Sequence, residues 1–366
     1  VEGRAVEGTR MTEPAHTPPF PIDEQRRLAE WLDRQRLPGA GEPLEVQFIA
    51  GGASNEVWLL RRGDTKMVLR RPPRRVPPGR NESMLREYRV LAALRDTDVP
   101  HPRVLAACSD QSVLGACFYV MEYVDGWSCM NRDGWPPPFD SDLEARRGLA
   151  WELVDGIARL ARVDWKAVGL EGFGRPDGFH ERQVDRWLGQ LAQYRFRPLP
   201  GLEEAEAWLR AYRPRHYLPG ILHGDYQFAN VMFRHGAPAR LAAIVDWEMA
   251  TVGDPLLDLG WVLMAWPDPD EDRRHSSYVD YTGMPTRMEL AQRYEQTSGR
   301  TVEELDYYVI LACFKIAIVL EQGYAAWVQG RADNPKLAYF GDVVLRMARK
   351  AGDLARSTRL GRGQWL

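Results

Sequence analysis

The run His223-Gly224-Asp225-Tyr226-Gln227-Phe228-Ala229-Asn230, followed at Ile244-Val245-Asp246 by an apolar pair and a second aspartate, carries the chemistry of this chain. Asp225 stands where a substrate hydroxyl could lose its proton. Asn230 and Asp246 supply two hard oxygen ligands of the kind that hold Mg²⁺ against a nucleotide. A base and a metal pair are what kinase-type phosphoryl transfer asks of a protein, because that reaction is catalysed mostly by positioning and charge neutralisation. At average composition, a His-x-Asp-x4-Asn run trailed by two β-formers and Asp arises by chance in about one chain in several hundred. A solvated polar turn is therefore the weaker reading. His223 is expected to brace the loop by hydrogen bonds rather than to react.

Such residues need a frame. Ile221-Leu222 leads into the loop, Val231-Met232-Phe233 leaves it, and Leu241 to Val245 returns after a Gly/Pro turn at Gly236 to Pro238. A hairpin of that kind sets Asn230 and Asp246 side by side at its strand ends, with Asp225 projecting from the loop. Upstream, Leu28, Trp31 and Leu32 predict an amphipathic helix from about Ile22 to Arg36. Short strand-like runs follow at Val46–Ile49, Val57–Leu60 and Met67–Leu69. A helix carrying Met84, Tyr88, Leu91 and Ala92 comes next, capped by Asn81 or Ser83. Two further strands lie at Val104–Cys108 and Cys117–Val124. Beyond Asp125-Gly126 the pattern turns helical, at Glu144–Val163, Arg182–Tyr194, Glu203–Tyr212, Met288–Gln296 and Leu305–Val328. The division expected is a flexible tail over 1–20, a small lobe over 21–124 and a large lobe over 125–366.

Composition sets limits. The chain has 366 residues, 45% hydrophobic and 27% charged, with a net charge of −3. Length alone suggests two domains or lobes, and the charge gives no electrostatic reason to expect nucleic acid or an acidic membrane as partner. The greasy stretch Val309–Leu320 is interrupted by Lys315 and falls short of the about 20 apolar residues that span a bilayer, so it reads as a buried core helix. Cys108, Cys117, Cys129 and Cys313 show no CxxC spacing and read as reduced, buried thiols in a cytosolic protein. No apolar secretory segment opens the sequence, and Met11 offers a natural start, with Val1 to Arg10 an upstream or vector remnant.

The loop, the hairpin and the trailing Gly253-Asp254-Pro255-Leu256-Leu257-Asp258-Leu259-Gly260 resemble the aminoglycoside phosphotransferase-like (choline-kinase-like) family of small-molecule kinases. The resemblance runs from about residue 40 onward and is strongest to the branch found beside, or fused to, acyl-CoA dehydrogenases. It implies an α+β, bilobal protein-kinase-like fold. The small N-terminal lobe has an antiparallel sheet plus a helix, the C-terminal lobe is large and mostly helical, and ATP binds in the cleft between them. It also implies that Asp225 is the catalytic base, that Asn230 and Asp246 ligate Mg²⁺, and that Asp254 and Asp258 brace the catalytic loop.

Kinases need a cation on the third strand to hold phosphates and an acid on the following helix to hold that cation. Met67-Val68-Leu69-Arg70 has the strand and the position, with Arg where most kinases carry Lys, and Glu87 is its natural partner. Arg is permanently charged and forks onto both phosphate and carboxylate, which keeps the task and changes its geometry. Arg71 points to the opposite strand face. Gly51-Gly52-Ala53-Ser54-Asn55 could bring backbone N–H groups over the phosphates, so Ser54 and Asn55 join the nucleotide candidates. In Phe118 to Val124, Glu122 and Val124 stand where kinases hydrogen-bond adenine through their backbone.

Gly224 replaces the Arg that reads a phosphorylated activation loop in protein kinases. Trp247-Glu248 replaces Phe-Gly after the metal aspartate, and Met249 to Gly253 is too short for an activation loop. These departures point to a small-molecule hydroxyl acceptor. Acid at Asp268, Asp270, Glu271 and Asp272 is offset by Arg273 and Arg274 and reads as a solvated loop. The basic run Arg70-Arg71-Pro72-Pro73-Arg74-Arg75, with Arg80, is either a seat for the phosphates of a CoA-type acceptor or simply solvated. Trp127, Trp135, Trp187, Trp261, Trp266 and Trp327 are expected mostly in the core. An ATP- and Mg²⁺-dependent phosphotransferase is the leading reading, with a hydroxyacyl-CoA kinase-type enzyme and a pseudokinase lacking transfer activity as alternatives. The oligomeric state stays open.

Overall fold

A computed structural model describes residues 20–51, 55–130, 134–267 and 279–358. The tail up to residue 19, Ser54 and the acidic stretch from Asp268 to Arg274 lie outside them. Phe20, placed in the tail by its sequence, is instead buried edge-on against Trp58 with ring centroids 4.9 Å apart.

The described residues divide into two compact units. One holds those up to Tyr88 together with Val104–Tyr123; the other holds Arg89–Arg103 and everything from Val124 on. The boundary differs from that expected because Arg89–Arg103 is bonded into the larger unit. Arg89 donates to the carbonyls of Gly169 and Glu171, Ile244 N–H donates to the Pro100 carbonyl, and Arg162 pairs with Asp98.

The smaller unit begins with α1 (Ile22–Arg34), which buries Leu28, Trp31 and Leu32. β1 (Glu45–Gly51), β2 (Glu56–Arg62) and β3 (Thr65–Arg71) form an antiparallel meander, α2 spans Arg80–Ala93 with its residues from Arg89 on counted in the larger unit, and β4 (Val104–Cys108), the short α3 (Gln111–Leu114) and β5 (Phe118–Glu122) complete the smaller one. The sheet order is β1-β2-β3-β5-β4 with every pair antiparallel. Strand alternation sorts the side chains between the two faces. Leu60, Met67, Leu69, Phe118 and Val120 join α1 in one core, which leaves Val68, Arg70 and Tyr119 for the other face. Asn81 does not cap α2: it lies inside the first turn, and its side chain accepts the Cys117 N–H.

In the larger unit the elements are α4 (Leu143–Arg162), α5 (Phe179–Leu191), α6 (Leu202–Ala211), β6 (Gly220–Leu222), β7 (Val231–Phe233), β8 (Leu241–Ile244), β9 (Thr251–Gly253), α7 (Leu256–Ala265), α8 (Arg287–Ser298), α9 (Leu305–Val328) and α10 (Lys336–Ser357). β6 pairs with β9 and β7 with β8, both antiparallel. By length and composition α9 could cross a membrane, which the shorter apolar run read from the sequence could not. It is packed against α7 and α10 within this unit, with Lys315 buried along it. The small-unit sheet and the mostly helical larger unit make up the α+β, kinase-like fold. All four cysteines are buried and free.

Candidate active site

The loop between β6 and β7 is held from several elements at once. Asp258, in the first turn of α7, accepts the backbone N–H of His223 at 2.6 Å and of Gly224 at 2.8 Å. The His223 ring bridges to β8's end: Nε2 donates to the Val245 carbonyl at 2.9 Å while Nδ1 accepts the Asp225 N–H at 3.4 Å. That pairing assigns the neutral tautomer, and burial lowers the imidazole pKa in the same direction. The bracing role expected of His223 is the one it has. Tyr226 O–H donates to the Leu153 carbonyl on α4 at 2.7 Å. Gly224 adopts φ +85°, and a Cβ there would meet the Met249 carbonyl oxygen at 2.6 Å. No Arg fits at that position, whatever reads phosphate elsewhere in the kinase fold.

Asp225 is surrounded by donors. Oδ1 accepts from Gln227 Nε2 at 2.9 Å and from Trp261 Nε1 at 3.0 Å, and Oδ2 accepts from Asn230 Nδ2 at 2.9 Å. Burial raises the carboxyl pKa; the Lys315 charge and the bonds from Asn230 and Gln227 oppose the rise, and the Asp246 charge adds to it. The net shift is upward, which makes Asp225 a stronger base than a solvated aspartate. Trp261, assigned to the core by sequence, is buried and also donates to the Asp225 carboxylate. Lys315 donates to the Gly224 carbonyl from α9. Its one legible signal was being the single charge in the greasiest stretch of the chain.

The hairpin does what its sequence predicts. Val231 pairs with Ile244, and Val245 N–H donates to the Asn230 carbonyl at 2.9 Å, so Asn230 and Asp246 stand at neighbouring strand ends. Asn230 Nδ2 is committed to Asp225, at 2.8 Å to the carbonyl as well as to Oδ2, so of its two amide atoms only the oxygen could take a metal. Asp246 takes left-handed backbone angles, φ 66° and ψ 62°, a conformation that costs a non-glycine about 1 kcal/mol or more and is concentrated at functional sites. Among the described residues no group of three or more His, Cys, Asp or Glu is arranged around a metal. An amide oxygen and a carboxylate nonetheless fit Mg²⁺, which keeps several waters and takes phosphate oxygens besides one or two protein ligands. Among the described residues Asp254 makes no hydrogen bond to the loop; its carboxylate accepts from His180, Tyr308 and the Leu256 N–H.

In the smaller unit, Arg70 Nε donates to Glu87 Oε2 at 2.8 Å, and Tyr119 O–H donates to the same oxygen at 3.1 Å. Arg71, on the opposite face, is buried and paired with Glu24 of α1 and with Glu56. Two of the arginines in the basic run are therefore occupied by internal ion pairs, which weakens that run as a seat for acceptor phosphates. Asn55 is buried just ahead of β2. Glu122 ends β5 opposite Met67 with its side chain exposed, and Val124 opens the larger unit.

Residues 45–294 match the model of the phosphotransferase enzyme family. The chain belongs to that family. A Ralstonia eutropha protein assigned as an aminoglycoside phosphotransferase superposes with a TM-score of 0.78 at 30% identity, over 91% of this chain and 98% of that one. The macrolide 2′-phosphotransferase of Brachybacterium faecium shares the fold at 21% identity and a TM-score of 0.55, over 90% and 97% of the two chains. Among curated sequences, acyl-CoA dehydrogenase family member 11 of Gallus gallus is 30% identical over 91% of this chain and 44% of its own length. The chain spans less than half the length of the curated relatives it matches.

Beside the Asp225 loop of this phosphotransferase lies a cavity of about 30 Å³. Gln227 and Trp261, the two donors to Asp225 Oδ1, line it, and Leu153, Phe228, Trp266 and Tyr281 make its wall mainly apolar.

Proposed function

We propose that the chain is an ATP- and Mg²⁺-dependent phosphotransferase acting on a hydroxyl group of a small molecule. The observation that carries this reading is the Asp225 carboxylate, partly buried, raised in pKa and held by three side-chain N–H donors beside the candidate oxygen ligands Asn230 and Asp246. Asp225 orients the acceptor hydroxyl and takes its proton as the oxygen attacks the γ-phosphorus. Asn230 and Asp246 would hold Mg²⁺, which when bound neutralises charge on the β- and γ-phosphates. Arg70, steadied by Glu87, clamps the α/β-phosphates, with the backbone around Asn55 and at Glu122 and Val124 contributing to nucleotide binding. Family membership supports transfer of phosphate; the free buried thiols suit a cytosolic setting.

The cavity beside the base has room for only a water or two, so the acceptor is not read from it. A hydroxyacyl-CoA kinase-type reaction is the second reading, supported by the acyl-CoA dehydrogenase names of the curated relatives. Incubating the chain with γ-³²P-labelled ATP and small-molecule cell extract, with and without Mg²⁺, tests all of this together. A labelled product that requires Mg²⁺ and vanishes in Asp246→Ala is expected. ATP bound but never consumed would make the chain a pseudokinase.

A further inference from the structure

Lys315 lies in the middle of α9 with 3% of its surface exposed. Its ammonium donates to the Gly224 carbonyl and sits over the indole faces of Trp261, 4.2 Å from the ring centre, and Trp187, at 5.4 Å. Asp225 and Asp258 act on it electrostatically from further away, opposed by Arg186.

Taking an ammonium out of water is costly even after relaxation. A Met or Leu in this apolar helix would serve packing as well, so packing alone does not account for a lysine here.

Geometry does. Trp261 offers its face to Lys315 and its edge N–H to Asp225 Oδ1 at 3.0 Å. A carboxylate oxygen accepts about two hydrogen bonds. Oδ1 already takes two, from Gln227 and Trp261, whereas Oδ2 takes one, from Asn230. Oδ2 therefore keeps the open lone pair.

We propose that Lys315 and Trp261 are positioning residues for phosphoryl transfer: the ammonium pins the Gly224 carbonyl and the indole ring, and the indole N–H occupies Oδ1 so that Oδ2 receives the acceptor's proton. This rests on Asp225 being the base. The proton leaves the acceptor oxygen for Oδ2 as that oxygen bonds phosphorus and the bond from phosphorus to the ADP leaving oxygen breaks.

The test uses the full chain, ATP and Mg²⁺ with water as acceptor, and phosphate release as readout. Lys315→Met should lower kcat about 100-fold and Trp261→Phe, which keeps the ring and loses the N–H, about tenfold, both with KM for ATP within about twofold of wild type. Should Lys315→Met fail to fold, Trp261→Phe carries the kinetic arm. In ¹⁵N-labelled protein the indole N–H signal absent from Trp261→Phe should move in Asp225→Asn. Wild-type kcat in both variants, beside an inactive Asp225→Asn, overturns the positioning role and leaves the base intact. A wild-type chain that releases no phosphate and labels nothing in cell extract from γ-³²P-labelled ATP, yet shows the indole shift, sinks the transfer reading while the Trp261 to Asp225 contact stands.

Discussion

The Asp258 carboxylate takes the Gly224 backbone N–H at 2.8 Å with one oxygen while the other takes that of His223. α7 is thereby tied to the residue immediately before Asp225. Both oxygens work only as acceptors, so an amide cannot replace the carboxylate without turning an N–H₂ toward a backbone N–H. Asp258→Asn should lose about 2–3 kcal/mol of stability, read by urea unfolding, and about 100-fold in turnover. Unchanged turnover would show that the loop is set by other contacts.

In the smaller unit the bond from Arg70 Nε to Glu87 is one that a lysine cannot copy in geometry. Arg70→Lys keeps the charge and loses the fork. We expect KM for ATP to rise about tenfold, equal to about 1.4 kcal/mol, with a smaller change in kcat. Arg71, paired with Glu24 on the other sheet face, serves as the contrast: Arg71→Lys should lower stability and leave KM unmoved. Equal KM effects at the two positions would contradict the assignment of faces.

Local periodicity made much of this legible. β3 alternates, so Arg70 and Arg71 had to part, and the Asn230 and Asp246 neighbourhood followed from one hairpin. What failed to show was non-local. Trp261 meets Asp225 across 36 positions and Lys315 meets Gly224 across 91, and no window of sequence spans either. α7 is apolar around its circumference apart from the buried Asp258, which erases the helical stripe. α10 is a further helix, beyond those expected, and its buried face is built mostly of small residues, Gly341, Ala348, Ala351, Gly352 and Ala355 beside Val344. That smallness is required, since a Cβ on Gly352 would lie 2.6 Å from the Gly201 Cα.

Further along α9 from Lys315, Glu321 is fully buried, and Arg197 binds it through Nε at 2.9 Å and Nη2 at 2.7 Å. Arg197 also donates to the Gly341 carbonyl of α10. Removing the cation alone strands a carboxylate in the core, which costs about 3–5 kcal/mol. Arg197→Ala should fall in that range by chemical denaturation, whereas Arg197→Met with Glu321→Leu should recover most of the loss. A single-variant cost under about 1 kcal/mol, the scale of a surface pair, would mean that the bridge is solvated.

Lys315 couples activity and stability to pH in opposite directions. Burial pulls its pKa from 10.5 down to about 8, with the Asp225 and Asp258 charges resisting the fall and Arg186 assisting it; His223 faces it across the same loop. Between about 8 and 10.5 the unfolded chain holds this proton and the native chain does not, so the Lys315 contribution to stability rises with pH over that window. Turnover goes the other way, because above pH about 8 the ammonium over Trp261 is lost. Wild type should therefore show a falling limb in kcat centred near pH 8 that Lys315→Met lacks. Over the same range the unfolding free energy of wild type should gain on that of Lys315→Met. Parallel profiles for the two proteins in both measurements would show that Lys315 keeps one protonation state throughout.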